Sequence, residues 1–241
     1  MRGAAIAAQA REEIRMTLER GESLLVTFGI PIFLLVFFTE VPVLPTGTSR
    51  RVDFLAPGVL GLAVMSTAMV SLGIATGFER AYGVLKRLGS TPLGRRALIA
   101  AKILAVLAVE CAQVVILGAV AFGLGWRPSA TLGLGLLAEL LATIAFAGLG
   151  LLMAGTLRAE VTLAVANGVY VVLLLIGGVV FPLSKLGGLA GAARLLPAAA
   201  LSDILHPTLG TGGPVPGLAW GVLAAWAVLA PALAALTFRF D

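Results

Sequence analysis

Glu110 and Glu139 each interrupt a long run with no other charge, 103–125 and 132–157. An ionisable side chain inside such a run is costly and marks an ion, proton or substrate site by default. The pair is a candidate to carry protons, to hold a cationic substrate, or to line a substrate pathway. A second cluster lies between two apolar runs: Glu79, Arg80, Lys86, Arg87, Arg95 and Arg96. Basic clusters of this kind attract anionic headgroups or dock a partner. A third group is Ser202, Asp203 and His206, the only histidine of the chain. These are the residue types of acyl transfer, but a triad is defined by geometry rather than by proximity in sequence, and no G-x-S-x-G elbow surrounds Ser202. The plainer expectation is an amphipathic helix outside the membrane, with Asp203 exposed and Leu205-His206-Pro207 ending it. Cys111 is the sole cysteine, which excludes an internal disulfide or a cysteine metal cluster; it reads as a small buried hydrophobe. No catalytic residue and no metal site is assigned.

The elements that must position these groups are set by composition. Of 241 residues, 59% are hydrophobic and 12% charged, where a soluble domain carries about 25% charged residues; the mean hydropathy is +1.05. The chain belongs in a bilayer. A crossing helix needs about 20 predominantly apolar residues, and reading from charge to charge gives six candidates: 23–39, 54–77, 103–125, 132–157, 161–181 and 218–238. The first is short but bracketed by Glu22 and Glu40. The fourth and fifth are separated only by Arg158, Ala159 and Glu160, so they form a tight hairpin. No segment is left for a soluble domain. The expected fold is a single all-α membrane domain over 1–241, because helices satisfy their own backbone in lipid and open sheets cannot.

The excess of 17 Lys and Arg over 12 Asp and Glu reads as positive charge on cytoplasmic loops rather than as a nucleic-acid surface. With the N-terminus inside, twelve cations fall on inside segments (Arg2, Arg11, Arg15, Arg20, Arg80, Lys86, Arg87, Arg95, Arg96, Lys102, Arg158 and Arg239) and five outside (Arg50, Arg51, Arg127, Lys185 and Arg194). Both termini are therefore expected in the cytoplasm. Ile6, Ala10, Ile14 and Leu18 recur every four residues among charges, which predicts an N-terminal helix lying in the cytoplasmic interface. Gly73, Gly77, Gly148, Gly150 and Gly155 let helix backbones approach closely, within one subunit or between two. The preference for arginine over lysine, with abundant alanine and glycine, suggests a GC-rich bacterial genome.

At about 100° per residue, Glu79, Arg80, Lys86 and Arg87 fall within roughly one third of a helix circumference, opposite Phe78, Ala81, Tyr82, Val84, Leu85 and Leu88. A short amphipathic helix is expected, broken by Gly89 and stopped by Pro92. Its sequence, "FERAYGVLKRLGSTPLGRRALIAAKIL", resembles the signature of ABC-2 type permeases, the membrane subunits of ATP-binding-cassette exporters. Glu79, Arg80, Gly83, Leu85, Lys86, Leu88, Thr91, Pro92 and Leu93 match; Ala81 stands for the usual second acidic residue and Val84 for the usual Thr. The segment "FPLSKLGGLAGAARLLPAAALSDILHPTLG" is similar to the family's extracellular helical segment between spans five and six.

The resemblance implies a division of labour. Two permease subunits, identical or paralogous, would line the pathway, and two cytoplasmic ATPase subunits would bind ATP and magnesium. The helix between spans two and three would be the coupling helix, with Glu79, Arg80, Lys86 and Arg87 as polar contacts and Leu85 and Leu88 facing the bundle. Consistent with this, the chain lacks G-x-x-x-x-G-K-[ST], so no nucleotide cofactor is expected on it and it is not expected to be an enzyme by itself. Family members export drugs, polyketides, lipids, glycans or peptides; with only 7% aromatic residues, an amphipathic small molecule is the expected cargo, in a bacterial plasma membrane. The competing expectation is a proton- or ion-coupled secondary transporter built on Glu110 and Glu139, although no inverted repeat or broken-helix pair emerges from the hydropathy.

Overall fold

The computed structural model describes residues 2–19, 24–41, 50–89, 94–129, 131–178, 183–210 and 212–238. It is all-helical, with no strand among the described residues. Helix α1 is Arg2–Glu19. Helix α2, Leu25–Glu40, is apolar but shorter than the spans that follow. The long helices are α3 (Arg51–Ala81), α5 (Gly94–Gly123), α6 (Leu132–Thr156) and α7 (Ala159–Ile176), with the short α4 (Val84–Gly89) between α3 and α5. Then come α8 (Gly187–Ala193), α9 (Pro197–Gly210) and the final long helix α10 (Gly217–Thr237).

Five helices are long and apolar enough to cross a membrane, α3, α5, α6, α7 and α10, and the bent pair α8–α9 could supply a sixth. The first expected span, 23–39, corresponds to α2, whose sixteen residues reach about 24 Å at about 1.5 Å per residue, against a hydrocarbon core of about 30 Å. The fifth expected span ran to residue 181, but α7 ends at Ile176.

Buried fraction orders the bundle. In α3 and α6, 67% and 56% of the apolar stretch is buried, against 22% in α7 and α10, so α3 and α6 form the centre. Lipid offers no hydrophobic drive for helix association; close packing of small residues supplies it. Ala138, Ala142, Ala145, Ala147 and Ala154 of α6 are fully buried. A Cβ on Gly150 would stand 2.6 Å from the Met69 carbonyl oxygen of α3, and one on Gly73 would stand 3.1 Å from the Gly150 carbonyl. These two glycines hold α3 against α6 inside one subunit. At that contact the α3 backbone widens into π-turns over Met65–Ser71, which place its carbonyls against the glycine face.

Three expectations are corrected. The segment expected as one amphipathic helix ended by Leu205-His206-Pro207 is instead a bent pair, α8 and α9, meeting at 95°. Its second arm is packed into the core: Ala198, Ala199, Leu201, Ile204 and Leu205 are 0% exposed. Its carbonyls are met by the loop between α5 and α6: Trp126 Nε1 donates to Leu209 O at 2.8 Å, and the Ser129 hydroxyl donates to Thr208 O. Cys111, expected buried, is exposed on the outside of α5. The amphipathic helix expected over 78–88 is two helices, since α3 runs unbroken to Ala81. Gly83, at φ 72, then turns the chain, with Tyr82 N and Gly83 N bonding back to Phe78 O and Arg80 O at 2.9 and 3.0 Å. That left-handed position after a helix end suits glycine because a residue with a Cβ is strained at that φ.

Candidate functional site

The break at Gly83 divides the four charges expected on one face. Glu79 and Arg80 belong to the last turn of α3, and Lys86 and Arg87 to α4. Arg80 turns inward: Nη1 donates to Ala154 O at 2.8 Å and Nη2 to Leu157 O at 2.6 Å. These are among the carbonyls that the end of α6 leaves without intrahelical partners, and a cation there complements the helix dipole. Glu79 Oε2 accepts from Lys102 Nζ at 2.8 Å, and the same ammonium donates to Glu13 Oε1 at 2.8 Å. Lys102 is 1% exposed. One buried ammonium thus joins α1, the foot of α3 and α5. The stripe expected on α1 also packs there, with Ala10 against Ala101 and Ala105 and with Ile6 and Ile14 beside them.

On α4 the apolar anchor is Leu85, 0% exposed and part of the main core. Around it Lys86 and Arg87 are exposed, as are Tyr82 and Val84. The Tyr82 ring stacks on Phe78 with centroids 6.1 Å apart. The outcome is a small surface of one aromatic, one aliphatic and two cationic side chains, held from beneath by Leu85 and by the Lys102 and Arg80 contacts. The backbone of Leu88 lies in α4; Thr91 and Pro92 lie outside the described residues. Lys102 and Glu13 were missed as functional residues. Lys102 does leave a trace, as a single cation four residues or more from any other charge in the run that opens α5.

Glu110 and Glu139 lie on α5 and α6, and each is 4% exposed. The Thr143 hydroxyl, one turn after Glu139 on α6, is within donating reach of Glu110 Oε2 and 2.9 Å from the Glu139 backbone carbonyl. One turn along α5, Gln113 accepts from the Thr67 hydroxyl at 3.2 Å and donates to Thr27 O at 2.7 Å. The polar groups of four helices therefore lie in one buried band.

Ser202, Asp203 and His206 do not form a relay among the described residues. The Ser202 hydroxyl donates to Gly178 O at 2.8 Å and also lies 3.2 Å from His206 Nδ1, which faces Ser202 O at 3.0 Å; the imidazole packs on Phe54 with centroids 4.7 Å apart. Serine and histidine thus touch, one turn apart on α9, but among the described residues no contact joins Asp203 to the imidazole, so the third member of a relay is missing. With the serine hydroxyl bonded to Gly178 O, the pair ties α9 into the bundle. Among the described residues, no three His, Cys, Asp or Glu side chains gather as a metal cluster.

The sequence profile of ABC-2 type transporters matches residues 5–206, from α1 to within a few residues of the end of α9. The chain belongs to the ABC-2 type transporter family. That family consists of transport membrane subunits rather than catalytic ones, and membership implies pairing with an ABC ATPase subunit. With its long apolar helices, this ABC-2 permease is a multi-pass membrane protein. A search of curated proteins finds no match. Within the permease, the α3–α4 corner and the Glu110–Glu139 band are two places where charged side chains are buried among the described residues.

Proposed function

We propose that this permease is the pathway-forming subunit of an ATP-driven exporter, and that α4 is the helix through which a cytoplasmic ATPase moves it. The observation that carries this reading is the construction of the α3–α4 corner. Tyr82, Val84, Lys86 and Arg87 are presented outward on a helix whose inner residue, Leu85, is fully buried. Aromatic and arginine side chains dominate binding energy at interfaces, and the patch has both. Force applied to α4 would pass to α5 and α1 through Lys102 and to α6 through Arg80. Glu79 and Arg80 thus act as positioning residues, while Lys86 and Arg87 touch the partner.

In the assembly we propose, two ATPase subunits bind ATP and magnesium, and a second permease, identical or paralogous, completes the pathway. Both termini and α4 lie in the cytoplasm of a bacterial cell, as the twelve-to-five distribution of Lys and Arg favours. The cargo is an amphipathic small molecule, in keeping with the low aromatic content.

The test is co-purification with the partner ATPase together with transport into inverted vesicles. Tyr82→Ala combined with Arg87→Glu is expected to lower ATPase retention more than about tenfold, since interface hot spots cost about 2 kcal/mol or more. The variant should still insert, because neither side chain is buried. Full retention with coupled turnover would remove α4 from the coupling role. Transport that persists with a hydrolysis-dead ATPase and follows a proton or ion gradient would establish the secondary-transporter reading instead.

A further inference from the structure

At the end of α3 opposite the α3–α4 corner, two arginines converge on one turn of backbone. The chain leaves α5 through Gly125, at φ 92, and the exit is closed by a pair of bonds. Gly125 N bonds to Phe122 O at 3.0 Å and Trp126 N to Ala121 O at 2.9 Å, the pattern of a glycine helix cap. Trp126 fixes the turn from beneath: it is buried, and Nε1 donates to Leu209 O at 2.8 Å. Arg50, two residues ahead of Val52 at the start of α3, donates from Nη1 to Gly125 O at 3.2 Å; Arg127 donates from Nη1 to Trp126 O at 3.1 Å. The two guanidinium groups thus sit on consecutive carbonyls of a turn that is itself held in place.

Their charges are balanced unequally. Arg50 Nε lies 3.3 Å from Asp53 Oδ2, whereas Arg127 has no carboxylate within ion-pair distance among the described residues. Cations at a helix C-terminus complement its dipole, which accounts for both carbonyl contacts. It does not account for where the Arg127 guanidinium stands, 4.5 Å over the ring of Phe122. Phe122 is 58% exposed on the last turn of α5 and heads an outward apolar strip that continues through Val115. On a span, such a strip meets acyl chains. A guanidinium carries five donors, and Arg127 gives one to Trp126 O. The surface is a cation with hydrocarbon beneath it, at the depth where the span ends.

We propose that Arg127, with Arg50 beside it, binds the phosphate of one anionic phospholipid whose acyl chain lies along Phe122 and Val115. The planar guanidinium matches phosphate bidentately. The apolar strip directly below selects a lipid over a soluble anion, which has nothing to lay there. The charge balance selects an anionic headgroup: two guanidinium groups and Asp53 leave one positive charge, and a phosphodiester neutralises it. A zwitterionic lipid brings an ammonium to a site already positive. Arg51 is turned to α2, donating to Thr39 O at 3.3 Å. A bound headgroup also braces the turn that Trp126 ties to α9.

The measurement is native mass spectrometry of the full chain released from nanodiscs of equal parts phosphatidylglycerol and phosphatidylcholine. The wild type should retain one phosphatidylglycerol more tightly than phosphatidylcholine. Arg127→Gln should lower that retention about fivefold, the effect of one basic residue at a membrane surface. Arg50→Gln should lower it less, because Arg50 already shares its charge with Asp53. Both side chains are exposed, so both variants should still insert. Arg158→Gln removes a cation between α6 and α7, at the other end of the bundle, and should leave retention unchanged. Excess inorganic phosphate should not displace the lipid. Displacement by inorganic phosphate, equal retention of the two lipids, or undiminished retention in Arg127→Gln would overturn the site.

Discussion

The α3–α4 corner and the α5–α6 carboxyl pair bury charge to nearly the same degree, yet they resolve it in opposite ways. At the corner, the 1%-exposed ammonium of Lys102 lies 2.8 Å from each of two carboxylates drawn from different helices, and Arg80 spends two guanidinium nitrogens on carbonyls at the end of α6. In the span, Glu139 is 4% exposed and neither of its oxygens is met among the described residues. The corner is self-sufficient: its partners are built into the chain, so it can transmit displacement without any ligand. The span carboxyls take one donor from the chain among the described residues, the Thr143 hydroxyl, and the burial that encloses them favours the uncharged form of an acid. In this permease, then, charge at the corner is kept and paired, whereas charge in the span is left without a counter-ion among the described residues.

The most severe way to break the first half of that contrast is to remove the shared cation. Lys102→Met keeps a linear side chain of similar volume but leaves Glu13 and Glu79 facing each other, 13% and 22% exposed, with no ammonium between them. Removing one member of a buried ion pair costs about 3–5 kcal/mol, so the variant should unfold at markedly lower temperature in detergent and should accumulate poorly in the membrane. Adding Glu13→Gln and Glu79→Gln should restore most of the loss, because the uncompensated charges then disappear. If the triple variant is no better than Lys102→Met, the lysine acts through packing and the mechanical account of the corner loses its electrostatic basis.

A smaller effect is expected at Arg80. Hydrogen bonds to charged groups contribute about 1.5–3 kcal/mol, and Arg80→Ala gives up two of them at the last turn of α6. Arg80→Lys retains the charge but not the planar fork that spans two carbonyls, so it should recover less than half of that stability. Hydrogen exchange at Ala154–Leu157 would localise the change. Equal stability of the lysine variant and the wild type would mean that charge near the helix end suffices and that the fork does not link α3 to α6.

Much of the frame was legible in sequence because the bilayer imposes length and polarity on every span. The ends of α3, α5, α6 and α10 follow charges, glycines and the hairpin at Arg158 to Glu160, and the α1 stripe of Ile6, Ala10 and Ile14 packs as its period implied. Three features were not legible, each for a physical reason. The partners of Lys102 are 89 and 23 residues away, and a lone lysine near a span end looks like any loop cation. Helix α9 is apolar because protein covers it, not lipid, and hydropathy does not separate those two solvents; its length also falls short of a span. Gly83 sits inside a segment whose charges share a helical face on paper, yet its left-handed φ sends Glu79 and Arg80 inward and Lys86 and Arg87 outward. The Glu110–Glu139 band was half legible: the two carboxylates stood out at once, while the contact of Glu110 with Thr143 across α5 and α6 depends on the register of the packed helices.

The finest distinction between the two regions rests on Thr143, whose hydroxyl reaches the Glu110 carboxyl. Thr143→Val keeps the β-branched shape and the packing of α6 while deleting that donor. If Glu110 depended on it as Glu79 depends on Lys102, the loss would approach the cost of a broken ion pair. A neutral hydrogen bond contributes only about 1 kcal/mol net, and the proton of Thr143 already has a second acceptor in the Glu139 carbonyl at 2.9 Å. The expected loss in thermal unfolding is therefore small, about 1 kcal/mol or less. A loss of several times that size would instead make Thr143 the indispensable partner of Glu110, and the span would then resemble the corner: charge satisfied from within the chain.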